Sequence, residues 1–237
     1  MKVFRLSFLV LLIPSVAAAH MSVASGPATA NKTGQKITFG ISHGCSSSTL
    51  DTLSVQVDIP TDGSVDPATV RAMPSDFGGR PAVSKSGSAV TSVKWTRDPA
   101  DLQPGDYDYY EVTLRLKVNN VPFTRVPFTI TQVCRPQGGA SDGSQDITVV
   151  WTGPDEPEPA PKLTVLPPRQ PGWNKLTLTT AVAAADFGTY FGDAQILWKG
   201  TAAFSPNPAI AMLIMGTMGA SVLSADLAIG DEIWVKY

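Results

Sequence analysis

From residue 36 onward the chain alternates apolar and polar positions in short runs. Each run is closed by Gly, Pro or Asp, the pattern of strands with one buried face. Residues 36–42 (KITFGIS) alternate loosely and 52–59 (TLSVQVDI) more cleanly. A short strand is predicted at 90–95. Residues 109–118 (YYEVTLRLKV) alternate over their whole length and lead into 123–133 (FTRVPFTITQV), and 147–152 (ITVVWT) ends the series. Six or more short strands separated by turn residues predict an all-β fold, an antiparallel immunoglobulin-like β-sandwich.

The pattern breaks at 154–161, where four prolines in eight residues (PDEPEPAP) predict a stiff, extended linker. Beyond it, 175–180, 194–199 (AQILWK) and 231–237 read as strands. The apolar run 209–222, entered through Asn207-Pro208, predicts a buried short helix plus turn. It is too short, and too interrupted by Gly216 and Gly219, to span a bilayer. The expected organisation is a sandwich domain over 20–153, the linker, and a smaller C-terminal extension of strands and a short helix over 162–237.

The first nineteen residues stand apart. Lys2 and Arg5, the apolar stretch 6–14 and the small-residue site Ala17-Ala18-Ala19 have the form of a secretory signal peptide. Its removal predicts a periplasmic or otherwise exported protein without a transmembrane anchor. Losing two of the 18 basic residues against 20 acidic ones leaves a formal charge of −4. With no Lys/Arg cluster, that balance excludes a nucleic-acid partner. In an oxidising compartment Cys45 and Cys134 are expected to form a disulfide, disfavouring the unfolded chain by roughly 4 kcal/mol. The alternative for Cys45, two residues after His43, is a thiolate metal ligand.

Cleavage after Ala19 would make His20 the first residue. A terminal histidine chelates one ion through its amine and its own Nδ1, a neutral nitrogen pair that favours copper. The chain has only two histidines, His20 and His43. There is no G-x-S-x-G elbow and no H-E-x-x-H helix, so serine-triad and zinc-hydrolase chemistry lack their parts. His43 ends the strand 36–42 and is either a third ligand or an ordinary turn histidine. Trp151 is either a core tryptophan or an aromatic neighbour of the metal, since its Nε1 can only donate. Met212, Met215 and Met218 recur every three residues; thioethers suit Cu(I), but the apolar surroundings favour core packing. The acidic pairs Asp155-Glu156 and Asp231-Glu232 read as solvated charges.

The start His20-Met-Ser-Val, the segment Ile41-Ser-His-Gly-Cys45 and the segment Val149-Val-Trp-Thr-Gly-Pro154 resemble the YcnI family of exported copper-binding domains. The stretches Ala194-Gln-Ile-Leu-Trp-Lys-Gly200, Ser205-Pro-Asn-Pro208 and Gly230-Asp-Glu-Ile-Trp-Val-Lys-Tyr237 resemble its proteobacterial members. The resemblance implies a β-sandwich that holds Cu(II) through the amine and imidazole of the N-terminal histidine, a histidine brace, with a glutamate and a tryptophan nearby. His20 matches the brace and Trp151 the tryptophan. The glutamate has no counterpart; counting along the strands sets His43 at about its position. An imidazole in place of a carboxylate adds a nitrogen, removes a charge and improves tolerance of Cu(I).

The expected function is copper homeostasis: a periplasmic carrier, buffer or metallochaperone that exchanges copper with other periplasmic copper-handling proteins and is not an enzyme. Two alternatives use the same residues differently. A copper monooxygenase could use two histidines on a sandwich, although no flat aromatic platform for a polysaccharide is evident in the sequence. A structural or adhesive sandwich would carry His20 by accident of cleavage.

Overall fold

The computed structural model describes residues 21–42, 45, 49–103, 109–153 and 159–237. The leader, His20, His43 and the Asp155-Glu156 pair lie outside the described residues. Seventeen strands form four sheets among those described. The first sheet has the order β1 (Met21–Val23), β3 (Gln35–Ile41), β8 (Tyr110–Val118), β5 (Val65–Ala72). The second has the order β11 (Ile147–Trp151), β10 (Ile130–Pro136), β4 (Leu50–Asp58), β7 (Ala89–Thr96), β6 (Ala82–Ser86). All pairings in these two sheets are antiparallel. Alternate residues such as Ile37, Phe39 and Ile41 of β3, and Val112, Leu114, Leu116 and Val118 of β8, fill one common core, as period-two patterning requires. The immunoglobulin-like sandwich predicted by the alternation is the fold observed.

A third, three-stranded sheet has the order β2 (Ala28–Thr29), β12 (Lys162–Leu166), β9 (Thr124–Pro127). The expected single strand over 123–133 is therefore two strands in different sheets. The first, β9, ends at Pro127, which supplies no amide; the Phe128 N–H still donates to the Pro161 carbonyl at 3.0 Å, in register with the β9–β12 ladder, before the chain enters β10 at Ile130. Strand β12 follows the prolines directly, and its Leu163 and Val165 are buried in the first core.

The fourth sheet has the order β13 (Trp173–Thr177), β17 (Glu232–Lys236), β14 (Ile196–Lys199), β15 (Ala202–Phe204), β16 (Ser221–Val222). Its inner face, with Leu197, Ile233 and Val235, packs on the short helix α1 (Phe187–Phe191) to form a second core. Phe123 reaches from the sandwich into that core and meets Tyr190 and Phe191 at ring-centroid distances of 5.6 and 5.5 Å.

Helix α2 (Pro208–Gly216) starts as expected. The Asn207 side chain accepts from the Ala209 amide at 2.9 Å, with Pro208 in the first turn. Its expected burial is not observed. Only Ile214 is buried, while Met212 and Met215 are 68% and 65% exposed and Met218 is fully exposed. The helix lies on the edge strand β16 and its neighbour β15, and this nine-residue helix at the sheet margin buries only one of its residues there. The methionine stripe is a surface feature, not packing. No helix among the described residues is long and apolar enough to cross a membrane.

Candidate functional site

The described chain begins as an edge strand, with Met21 opposite Ile41, Ser22 opposite Gly40 and Val23 opposite Phe39. Backbone pairing and the burial of Met21 in the first core fix this start; unpaired termini ordinarily fray. From the Met21–Ile41 pair the chain continues to His20 on one strand and through Ser42 to His43 on the other. Both histidines lie outside the described residues, so the ladder defines their neighbours in sequence only.

Gly40 opens the outer face of this corner. A Cβ there would sit 2.3 Å from the Tyr109 hydroxyl and 3.1 Å from Ser22 Oγ. The missing side chain lets the Tyr109 hydroxyl lie beside Ser22 and donate to Glu111 Oε1 at 3.2 Å. Burial and the neighbouring Glu111 carboxylate raise the phenol above the ordinary tyrosine value. Glu111 is opposite Gly40 on β8, a carboxylate separated from β1 by β3, which sequence spacing did not single out. Its signal was the lone acid early in the alternating run YYEVTLRLKV.

Trp151 is 2% exposed and belongs to the same core as Met21. It faces Ile130 across the β10–β11 ladder. Its indole N–H donates to Gln132 Oε1 at 3.2 Å, and Gln132 Nε2 donates to Thr52 Oγ1 at 2.8 Å. A buried amide must find such partners. A register shift between Val133 and Cys134 brings Thr52 opposite Cys134, so Thr52, Gln132 and Trp151 form one polar chain inside the sandwich. Gln132 was missed in the sequence, although it stands in phase with the apolar Ile130 and with Cys134, which marks it as inward-facing.

Cys45 and Cys134 form the expected disulfide, with Cα atoms 5.8 Å apart. It ties the β3–β4 connection, which carries His43 two residues earlier, to β10 two residues from Gln132. The oxidised pair removes Cys45 as a thiolate ligand. Nearby, buried Asp51 accepts from Arg97 Nη1 at 2.6 Å and from the Gln103 amide at 2.8 Å. Arg97 also lies 4.6 Å from the Tyr110 ring centroid. This network anchors the segment after β7. Among the described residues, no three His, Cys, Asp or Glu side chains cluster in a way that could hold a metal ion.

Residues 20–165 match the family described as Domain of unknown function (DUF1775). The chain belongs to that family. DUF1775 is the YcnI-like domain, and the match begins at His20 and ends on β12. A solved structure of an uncharacterised protein from Nocardia farcinica with an immunoglobulin-like fold is 25% identical. The similarity covers 62% of this chain and 97% of that one, with a TM-score of 0.44. A C-terminal fragment of the major pilin of Streptococcus agalactiae is 9% identical over 70% of this chain and 64% of that one, with a TM-score of 0.37. No curated protein matches.

Proposed function

We propose that this DUF1775 protein is an exported copper carrier or buffer in copper homeostasis, binding the ion through the amine and imidazole of a mature N-terminal His20. The observation that carries this reading is the extent of the family match, which starts at His20 itself, the residue that cleavage after Ala19 exposes. The donor set supports it. The disulfide consumes both thiols, which leaves the two histidines as the side-chain donors best suited to copper at neutral pH. His43 is the third nitrogen. Trp151 serves as an aromatic neighbour of the ion and not as a nitrogen ligand, since its N–H is committed to Gln132. The function is coordination without turnover, with release to another copper-handling protein in the same compartment.

Amine and imidazole bind copper only when neutral, so affinity weakens as pH falls below about 6–7. Competitive Cu(II) titration of the mature protein tests the assignment. His20→Ala removes the imidazole and half of the chelate, with an expected loss of about 100-fold or more in Kd. His43→Ala gives a smaller loss. Unchanged affinity in the His20 variant contradicts the proposal.

A further inference from the structure

The outer face of the fourth sheet carries a feature that copper handling does not use. Strand β17 reads Glu-Ile-Trp-Val-Lys, and its Ile233 and Val235 enter the second core. Period two therefore turns Glu232, Trp234 and Lys236 outward. In register, Trp198 of β14 stands opposite Trp234, Lys175 of β13 opposite Trp234, and Trp173 opposite Lys236. The three indoles line one shallow cavity of about 430 Å³. Trp173 and Trp234 are about half exposed, at 52% and 48%. Directly opposed side chains stand roughly 5 Å apart and diagonal ones roughly 7–8 Å apart at Cβ, so the rings form a continuous apolar surface. Folding does not require them there, because the inner face already supplies the core, and a contiguous exposed apolar patch marks an interaction site.

The chemistry around the rings selects the occupant. The rim has charges of both signs: Lys175 is paired with Glu232 at 2.8 Å, and Lys236 and Thr177 share the face. Lysines beside the rings oppose a quaternary ammonium, and the cavity is too open to enclose one. With Lys175 paired to Glu232, Lys236 leaves a single net positive charge on the rim, too weak a field to select an anionic headgroup or a phosphate backbone. What remains is an extended, uncharged ligand with apolar faces to lie on indoles and hydroxyl-rich edges to meet lysine, glutamate and threonine. A chain of β-linked pyranose rings has that form. We propose that Trp173, Trp198 and Trp234 are a binding platform for a neutral β-linked polysaccharide. The proposal rests on the C-terminal sheet alone and stands or falls separately from copper binding.

Titration of the mature protein with soluble β-1,4-linked oligomers of glucose and of N-acetylglucosamine, followed by tryptophan emission, tests it. EDTA is present to exclude quenching by metal. The expected result is a saturable change with at least one oligomer, and the oligomer that binds distinguishes a plain glucan from an N-acetylated chain. Trp173→Ala and Trp234→Ala, both at exposed positions, should each weaken binding about tenfold or more with unchanged melting temperature. No saturable response to either oligomer up to millimolar concentration overturns the proposal. So does binding that survives both substitutions. Self-association that disappears in Trp234→Ala would instead make this face an interface between two copies, and would also overturn it.

Discussion

The sandwich turns its two tryptophans inward and completes their hydrogen bonds, whereas the C-terminal sheet turns its three outward. Trp95 is fully buried and donates to the Met73 carbonyl at 2.9 Å, and Trp151 donates to Gln132. Trp173, Trp198 and Trp234 instead share an open cavity. The strands follow the same period-two rule in both regions. What differs is the residue in phase with each indole. Trp95 alternates in step with Val93, and Trp151 faces Ile130, all in the core. Trp234 alternates with Glu232 and Lys236, and Trp173 with Lys175. Trp173 and Trp234 share the outer face with their charged i±2 neighbours, whereas Trp198, with Ile196 at i−2, faces outward through its register opposite Trp234.

That contrast breaks most readily at the tryptophans themselves. Trp95→Ala is expected to cost about 3–5 kcal/mol in chemical denaturation, through lost burial and a cavity. Trp234→Ala should stay within about 0.5 kcal/mol of the parent. Comparable losses at both positions would mean that the outer indoles are structural. The disulfide sharpens the same division, since it lies only in the sandwich. The double variant Cys45→Ala/Cys134→Ala should destabilise the sandwich by about 4 kcal/mol, while acrylamide quenching of the exposed C-terminal indoles stays unchanged. A smaller effect belongs to the other region. Burial pushes the Tyr237 phenol up to about 12, against the nearby Arg169, which favours ionisation. The folded state thus keeps a proton that the unfolded chain releases near pH 10. Stability contributed by the neutral phenol is lost as pH rises from about 10 to about 12. Tyr237→Phe should flatten that alkaline decline in a melting-temperature series.

Much of the sandwich was legible because alternation and burial coincide: β3, β4, β7, β8 and β11 lie within two residues of the runs that predicted them. Strand β5 escaped notice because Pro67 interrupts its pattern and its pairing shifts register between Asp66 and Arg71. Strand β6 escaped because all five of its residues are exposed on an edge. Helix α2 misled for the opposite reason. Its apolar composition signalled burial, but composition does not say whether a second layer exists to cover a helix. The outward faces of Trp173 and Trp234 could have been found, because a charged residue two positions away in a strand marks the solvent side; Trp198, with Ile196 and Gly200 at those positions, carries no such signal. Gln132 was equally readable from its phase with Ile130. The disulfide followed from compartment chemistry and cysteine count. The metal donors are different in kind. His20 was singled out by a cleavage site and His43 by scarcity, and both lie outside the described residues.

The most direct test of the copper assignment is the electron paramagnetic resonance spectrum of mature protein with one equivalent of Cu(II), compared with a form carrying one extra residue before His20. Chelation through the terminal amine predicts a nitrogen-rich type 2 signal in the mature protein that changes when the amine is displaced. Identical spectra from the two forms, or copper held only loosely by both, would contradict the account.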